Sequence, residues 1–299
     1  MLATLGADTI STVGRGAIAI RDPFVLADET TGTYYLYGTR PDWGETPFLM
    51  YTSRDLETFE GPFSIFPVPE GFWAVRDFWA PEVHLWKGKY HLFASFADKD
   101  RKHRATHICV SDSPKGPFVP LGDKPQTPEE WLCLDGTLFV DDGGKPWMVF
   151  CHEWVQVTDG EMSAVPLSED LSKAVGEPML LFKASEAPWV ASKKDKVTDG
   201  PFLHRSKTGA LLMIWSSFGE DGKYKVGLAR SVSGKLEGPW EQQAEPIFEG
   251  CGGHGMLFRT FDGQLTLSLH APNTKPSRPT FFAVEDLGDT LRLVQGNGK

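Results

Sequence analysis

Apolar residues along this chain fall in short runs and almost never at helical intervals. A run ends in turn residues, a glycine follows, and a second run opens from it. The pairing occurs five times, at 21–28 with 32–39, 80–86 with 88–95, 135–142 with 144–150, 199–204 with 209–215, and 254–258 with 263–269. Short β-rich runs bounded by Gly, Asp and Pro are strand and hairpin signals. A third strand follows in each copy, and Gly61-Pro62, Gly116-Pro117 and Gly238-Pro239 mark the same stretch of three copies. Taking the first strands to start at 22, 80, 135, 199 and 254 gives steps of 58, 55, 64 and 55 residues. Five near-equal units of three or four antiparallel strands predict an all-β, five-bladed β-propeller spanning 1–299 as one domain. A β-sandwich would not place a hairpin at one phase five times.

The repeat predicts where chemistry gathers. The first strand of each blade lines the axis, and all five begin at one rim, to which the second strands return. Three of the five starts are aspartates, Asp22, Asp135 and Asp199. Each alone reads as a turn cap, but three at equivalent places in a crowded funnel cost repulsion and desolvation unless they are used. Glycoside hydrolysis uses such a set. One carboxylic acid protonates the leaving oxygen, and one carboxylate activates water from the opposite face of the sugar. A third can keep the acid protonated.

Composition narrows the choice. Asp plus Glu number 40 against 30 Lys plus Arg, a net charge of −10, which argues against a nucleic-acid binder. No run of 18 apolar residues predicts a membrane span. The segment 1–8 has neither the basic head nor the apolar run of a secretory leader. Cys109, Cys133, Cys151 and Cys251 form no CxxC pair and read as free thiols. Together these point to the cytoplasm, or to secretion if a leader once preceded the chain.

Four segments carry a resemblance: Arg21-Asp22-Pro23-Phe24, Trp79-Ala80-Pro81-Glu82-Val83, Leu134-Asp135-Gly136 and Asp199-Gly200-Pro201-Phe202. In order and phase they resemble glycoside hydrolase family 43, over nearly the whole chain. The resemblance implies a five-bladed propeller and an inverting hydrolase with no organic cofactor. Asp22 matches the general base and Asp135 the orienting, pKa-modulating carboxylate. Asp199 stands where the family usually has a glutamate acid, one methylene longer. Glu153, at a second-strand end, is the reserve acid, with Glu82 and Glu186 more distant options.

Further candidates surround these. His254 opens the fifth axial strand between glycines; in the family a histidine here often lies near channel water or a cation such as Ca2+, and it is expected either there or as a hydrogen-bonded core residue. One imidazole is a poor calcium site unless waters complete the shell. Trp79, Trp154 and Trp215 are candidate walls for the apolar face of a sugar, Trp43 and Trp73 candidate pocket loops, Glu82 a candidate substrate contact, and Arg278 either a hydroxyl contact or half of a surface salt bridge. His84, His91, His103 and His204 read as ordinary strand or surface residues. The expected partner is a glycoside or oligosaccharide, with no nucleic acid or membrane; the sequence leaves oligomeric state open. The expected activity is exo-acting removal of a terminal α-L-arabinofuranoside, ahead of β-D-xyloside and β-D-galactofuranoside. Two other classes compete: a non-catalytic carbohydrate-binding propeller, and a protein-interaction propeller. The latter is disfavoured because Trp-Asp repeats do not recur.

Overall fold

A computed structural model describes residues 11–193 and 195–294. The segment read above for a leader lies outside them. Five antiparallel sheets follow one another along the chain. Blade one comprises Arg21–Asp28, Thr33–Thr39, Leu49–Ser53 and Thr58–Ser64, with Ser11–Gly14 added outermost. Blade two comprises Arg76–Trp86, Lys89–Ala97, Arg104–Ser111 and Val119–Pro120. Blade three comprises Cys133–Val140, Pro146–His152, Glu161–Pro166 and Met179–Lys183. Asp199–Arg205, Leu211–Phe218, Tyr224–Ser231 and Trp240–Gln242 make blade four; Gly253–Arg259, Leu265–Ala271, Arg278–Asp286 and Leu291–Leu293 make blade five. The fold is the expected five-bladed β-propeller. The glycine before each second strand explains the regularity: Gly32, Gly88, Gly144, Gly209 and Gly263 all take φ between 59° and 89°, which a tight hairpin needs and a side chain resists.

Second strands are buried along most of their length because each is covered on both faces. In Leu211–Phe218 the period of two sends Leu212 and Ile214 against Leu257, Leu267 and Leu269 of blade five. It sends Met213 and Trp215 against Val149, Met162 and Phe182 of blade three. Each fully buried side chain of this size contributes about 1.5–3 kcal/mol. Trp215, read as a wall, is therefore core: it is fully buried, packs on Phe182 and Trp189, and donates from Nε1 to Gln242.

Blades five and one share no strand in the described residues. Side chains close the ring instead. Met256 and Phe258 join the cluster of Phe24 and Tyr34. Ser268 Oγ donates to the Pro23 carbonyl at 2.8 Å, and Tyr34 stacks on Phe261 at 4.0 Å.

Every first strand carries a register shift near its start: between Arg21 and Phe24, Trp79 and Glu82, Leu134 and Thr137, Asp199 and Phe202, and Gly253 and Met256. At each, one residue adopts the left-handed conformation: Asp22 (φ 51°), Ala80 (47°), Asp135 (56°), Gly200 (51°) and His254 (51°). This corrects the sequence alignment of the blades. The fourth equivalent position is Gly200, and Asp199 sits one residue earlier, at the place of Arg21, Trp79, Leu134 and Gly253. Hydrophobic phase alone does not register a one-residue bulge.

Candidate active site

Left-handed backbone at a non-glycine residue costs about 1–3 kcal/mol and persists only where its surroundings hold it. Here a ring of hydrogen bonds does so. Each left-handed residue follows one that pairs with Thr39, Ser95, Cys151, Ser216 or His270 of its own blade's second strand. Those five side chains face the next blade. Thr39 Oγ1 accepts the Ala80 N–H at 2.8 Å, Ser95 Oγ that of Asp135 at 2.8 Å, and Ser216 Oγ that of His254 at 2.8 Å. His270 Nδ1 accepts the Asp22 N–H at 3.3 Å. Cys151 is the exception, and the Gly200 N–H goes to Asp135 Oδ2 at 3.0 Å.

Held this way, Asp22, Asp135 and His254 face a cavity of about 180 Å³ on the axis, which Asp199 also lines. His254 Nδ1 stands 3.5 Å from both Asp22 Oδ1 and Asp135 Oδ2. Tyr224 closes one wall and donates from its hydroxyl to Asp199 Oδ2 at 2.8 Å. Trp79 and Trp43 form another, joined by the Trp79 Nε1–H bond to the Trp43 carbonyl at 2.6 Å. The Arg21 guanidinium lies over the Trp43 ring at 4.1 Å.

Asp22 and Asp135 are buried and Asp199 partly so, and the three carboxyls are perturbed differently. Burial pushes Asp22 up, but His254, His270 and Arg21 outweigh it and hold Asp22 well below the usual carboxylate range. Burial, then the charge of Asp22, push Asp135 well above that range against the Gly200 N–H bond. Asp199 is pushed up to about 7 by burial and then by Asp135, with His254 and Tyr224 opposing. His270 fits the same arrangement. Asn273 Oδ1 accepts from Arg21 Nη2 at 3.0 Å and lies 3.0 Å from His270 Nε2. His270 Nδ1 in turn stands 3.3 Å from Asp22 Oδ1, so the ring faces both the amide and the carboxylate of Asp22.

The remaining sequence candidates lie elsewhere. Glu153, the reserve acid, takes Arg104 Nη1 at 2.5 Å, and Arg104 Nη2 binds Asp77 at 2.6 Å. This ion cluster stands behind Trp79, whose ring lies 4.8 Å from the Arg104 guanidinium. Glu82 is buried outside the cavity lining and pairs with His84 at 3.0 Å, so His84 is not an ordinary strand residue. Glu186 accepts the Lys183 N–H and caps a short turn. Trp154 starts the short helix Trp154–Val157 and does not line the cavity. Arg278 donates to the Ile18 carbonyl at 3.2 Å, tying blade five to the approach to blade one.

Sequence reasoning missed four contributors. Arg21 and Thr39 flank positions already singled out. Tyr224 opens a third strand, where no repeat argument looked, and His270 lies at a second-strand end, a rim position that the repeat marks without assigning it a role. No group of three or more His, Cys, Asp or Glu among the described residues is disposed to hold a metal. His254 alone, between two carboxylates, does not make an oxygen-rich cation site. The cation expected near it enters no step below.

A propeller whose axis gathers three carboxyls with divided protonation has the architecture and chemistry of a glycosidase. The family model of Glycosyl hydrolases family 43 matches residues 16–285, and the chain belongs to that family and is a glycoside hydrolase. A solved endo-arabinase from Bacteroides thetaiotaomicron VPI-5482 is 43% identical, with TM-score 0.85, covering 91% of this chain and 96% of that one. The extracellular exo-α-(1→5)-L-arabinofuranosidase ArbA of Cellvibrio japonicus is 24% identical over 86% of this chain and 80% of its own length. Xylosidase/arabinosidase 43A of Humicola insolens is 35% identical over only 27% of this chain and 24% of that protein.

Proposed function

We propose that this glycoside hydrolase cleaves α-L-arabinofuranosyl linkages with inversion, releasing terminal residues from arabino-oligosaccharides. Asp22 takes a proton from the attacking water. Asp199 gives its proton to the leaving oxygen as the C–O bond breaks. The observation that carries this reading is the division of protonation within one small cavity: Asp22 is held ionised while Asp199 is raised to about 7. Asp22 raises Asp135 and Asp135 raises Asp199, so the group retains a proton near neutrality. Asp135 accepts the Gly200 N–H and Asp199 accepts the Tyr224 hydroxyl, and each bond opposes the protonation of its carboxyl. We assign that proton to Asp199, whose carboxyl lines the cavity beside Tyr224, so that the shorter side chain keeps the role of an acid.

The cavity's size supports release of single terminal sugars, since about 180 Å³ accommodates roughly one pentose ring. The 43% identity to an endo-arabinase supports a second reading, internal cleavage. The test is product analysis on linear α-1,5-arabinan, with proton NMR of the first anomer formed. Arabinose alone, first as the β-anomer, supports the proposal. A ladder of oligosaccharides supports the endo reading. A first product with retained configuration, or inactivity on every arabinoside, overturns the proposal.

A further inference from the structure

The hydrogen-bond ring repeats one solution with one break in it. Blades one, two and four present the hydroxyls of Thr39, Ser95 and Ser216 to the following blade, and blade five presents the His270 imidazole. Blade three presents the fully buried thiol of Cys151, a weak acceptor. A buried N–H must be satisfied, and the Gly200 N–H turns to Asp135 Oδ2 at 3.0 Å.

We propose that Cys151 is a positioning residue: by withholding an acceptor where three other blades supply a hydroxyl, it gives the Gly200 N–H to Asp135 and ties that carboxylate to the peptide following Asp199. The inference rests on the reading of Asp199 as the acid. It accounts for a difference between blades that core packing does not require, since serine fits the same register in blades two and four. It also explains why Gly200 stands at the fourth left-handed position. A Cβ there would approach the His254 ring at 2.9 Å, so the backbone comes close enough for the carboxylate across the channel to reach.

The test is Cys151→Ser, beside Cys151→Ala, which also lacks an acceptor, and Cys109→Ser, which buries a hydroxyl in another part of the core. Protein labelled with 15N-glycine reports the Gly200 amide directly. In the wild type and in Cys151→Ala its proton shift should follow a carboxylate titration; in Cys151→Ser the new hydroxyl should take the bond and abolish that dependence. With the N–H gone, Asp135 ionises less readily and supports the protonated acid less. The alkaline limb of kcat/KM should then move to lower pH in Cys151→Ser alone, with a roughly tenfold loss on arabino-oligosaccharide. A Gly200 amide that still titrates in Cys151→Ser overturns the inference. So does a displaced amide with an unmoved limb, or an equal shift in Cys109→Ser. Asp199→Asn, run in parallel, separates the two levels: if it is inactive while Cys151→Ser behaves as wild type, only the positioning role falls. If Asp199→Asn stays active on oligosaccharides, the assignment of the acid falls.

Discussion

Two groups of acids stand on either side of Trp79, and they do opposite things. Behind it, Asp77 and Glu153 are bound by guanidinium groups: Arg101 and Arg104 both hold Asp77, and Arg104 holds Glu153. In front of it, Asp22, Asp135 and Asp199 meet imidazoles, a phenol and one another, and among them only Asp22 has an arginine, Arg21, among its charge partners. Burial raises every one of these acids. In the cluster, Arg101 and Arg104 pull Asp77 down against burial, while Glu153, with one shared arginine, stays raised. What separates a structural carboxyl from a reactive one here is access and partner. A guanidinium occupies the oxygen of Glu153, whereas the Asp199 carboxyl faces the cavity.

The comparison breaks most visibly at Asp22. Asp22→Asn should cut kcat on arabino-oligosaccharide by about 10³–10⁴-fold, the upper part of the general-base range, with the fold intact by circular dichroism. Retained activity would remove Asp22 from the chemistry. Asp199→Asn should cost about 10²–10³-fold on the oligosaccharide and much less on a 4-nitrophenyl arabinofuranoside, whose leaving group needs little protonation. Equal losses on both would argue against an acid role.

The same residue gives two pH signatures. Activity needs protonated Asp199, so kcat/KM should be level on the acid side and fall above about pH 7. Stability runs with the same sign. The folded acid holds its proton to about 7 and the unfolded one only to 3.8, so stability is lost as pH rises through that window. Asp199→Asn should therefore raise Tm at pH 7 and leave it unchanged near pH 3.5, a comparison that differential scanning calorimetry makes directly.

On the other side of Trp79 the losses should be of fold and not of rate. Arg104→Met leaves Asp77 with one partner and Glu153 with none, and should cost about 3–5 kcal/mol, read as a lower urea midpoint and partly recovered in acid. Glu153→Gln is the mildest change. It should lose about 1–3 kcal/mol of stability and keep kcat within about threefold, because the amide still accepts from Arg104. A hundredfold loss of kcat with an unchanged midpoint would return Glu153 to the list of acids.

Much of this was legible from the chain. Glycines at the hairpins and alternating apolar runs between them specify strands and their order, because a φ near +80° and a two-sided core each restrict the residues allowed. Asp22 and Asp135 were legible for the same reason, standing at a repeated place next to turn residues. Trp215 was misread because a strand end by phase does not say which side is covered; its neighbour Ser216 faces blade five and it faces blade three. Tyr224 and His270 were not legible as a pair, since their stacking at 5.7 Å depends on two blades meeting.

By itself, the sequence determined five blades, their antiparallel strands, and a rim rich in aspartate, because hydrophobic period and turn chemistry act within a few residues of one another. Only the tertiary structure decided that Gly200 and not Asp199 takes the left-handed position. It also decided that Glu153 is held by Arg104 and that Asp22 and Asp199 differ in protonation. Those outcomes depend on distances of a few ångströms between residues far apart in the chain, where burial makes each hydrogen bond and charge count.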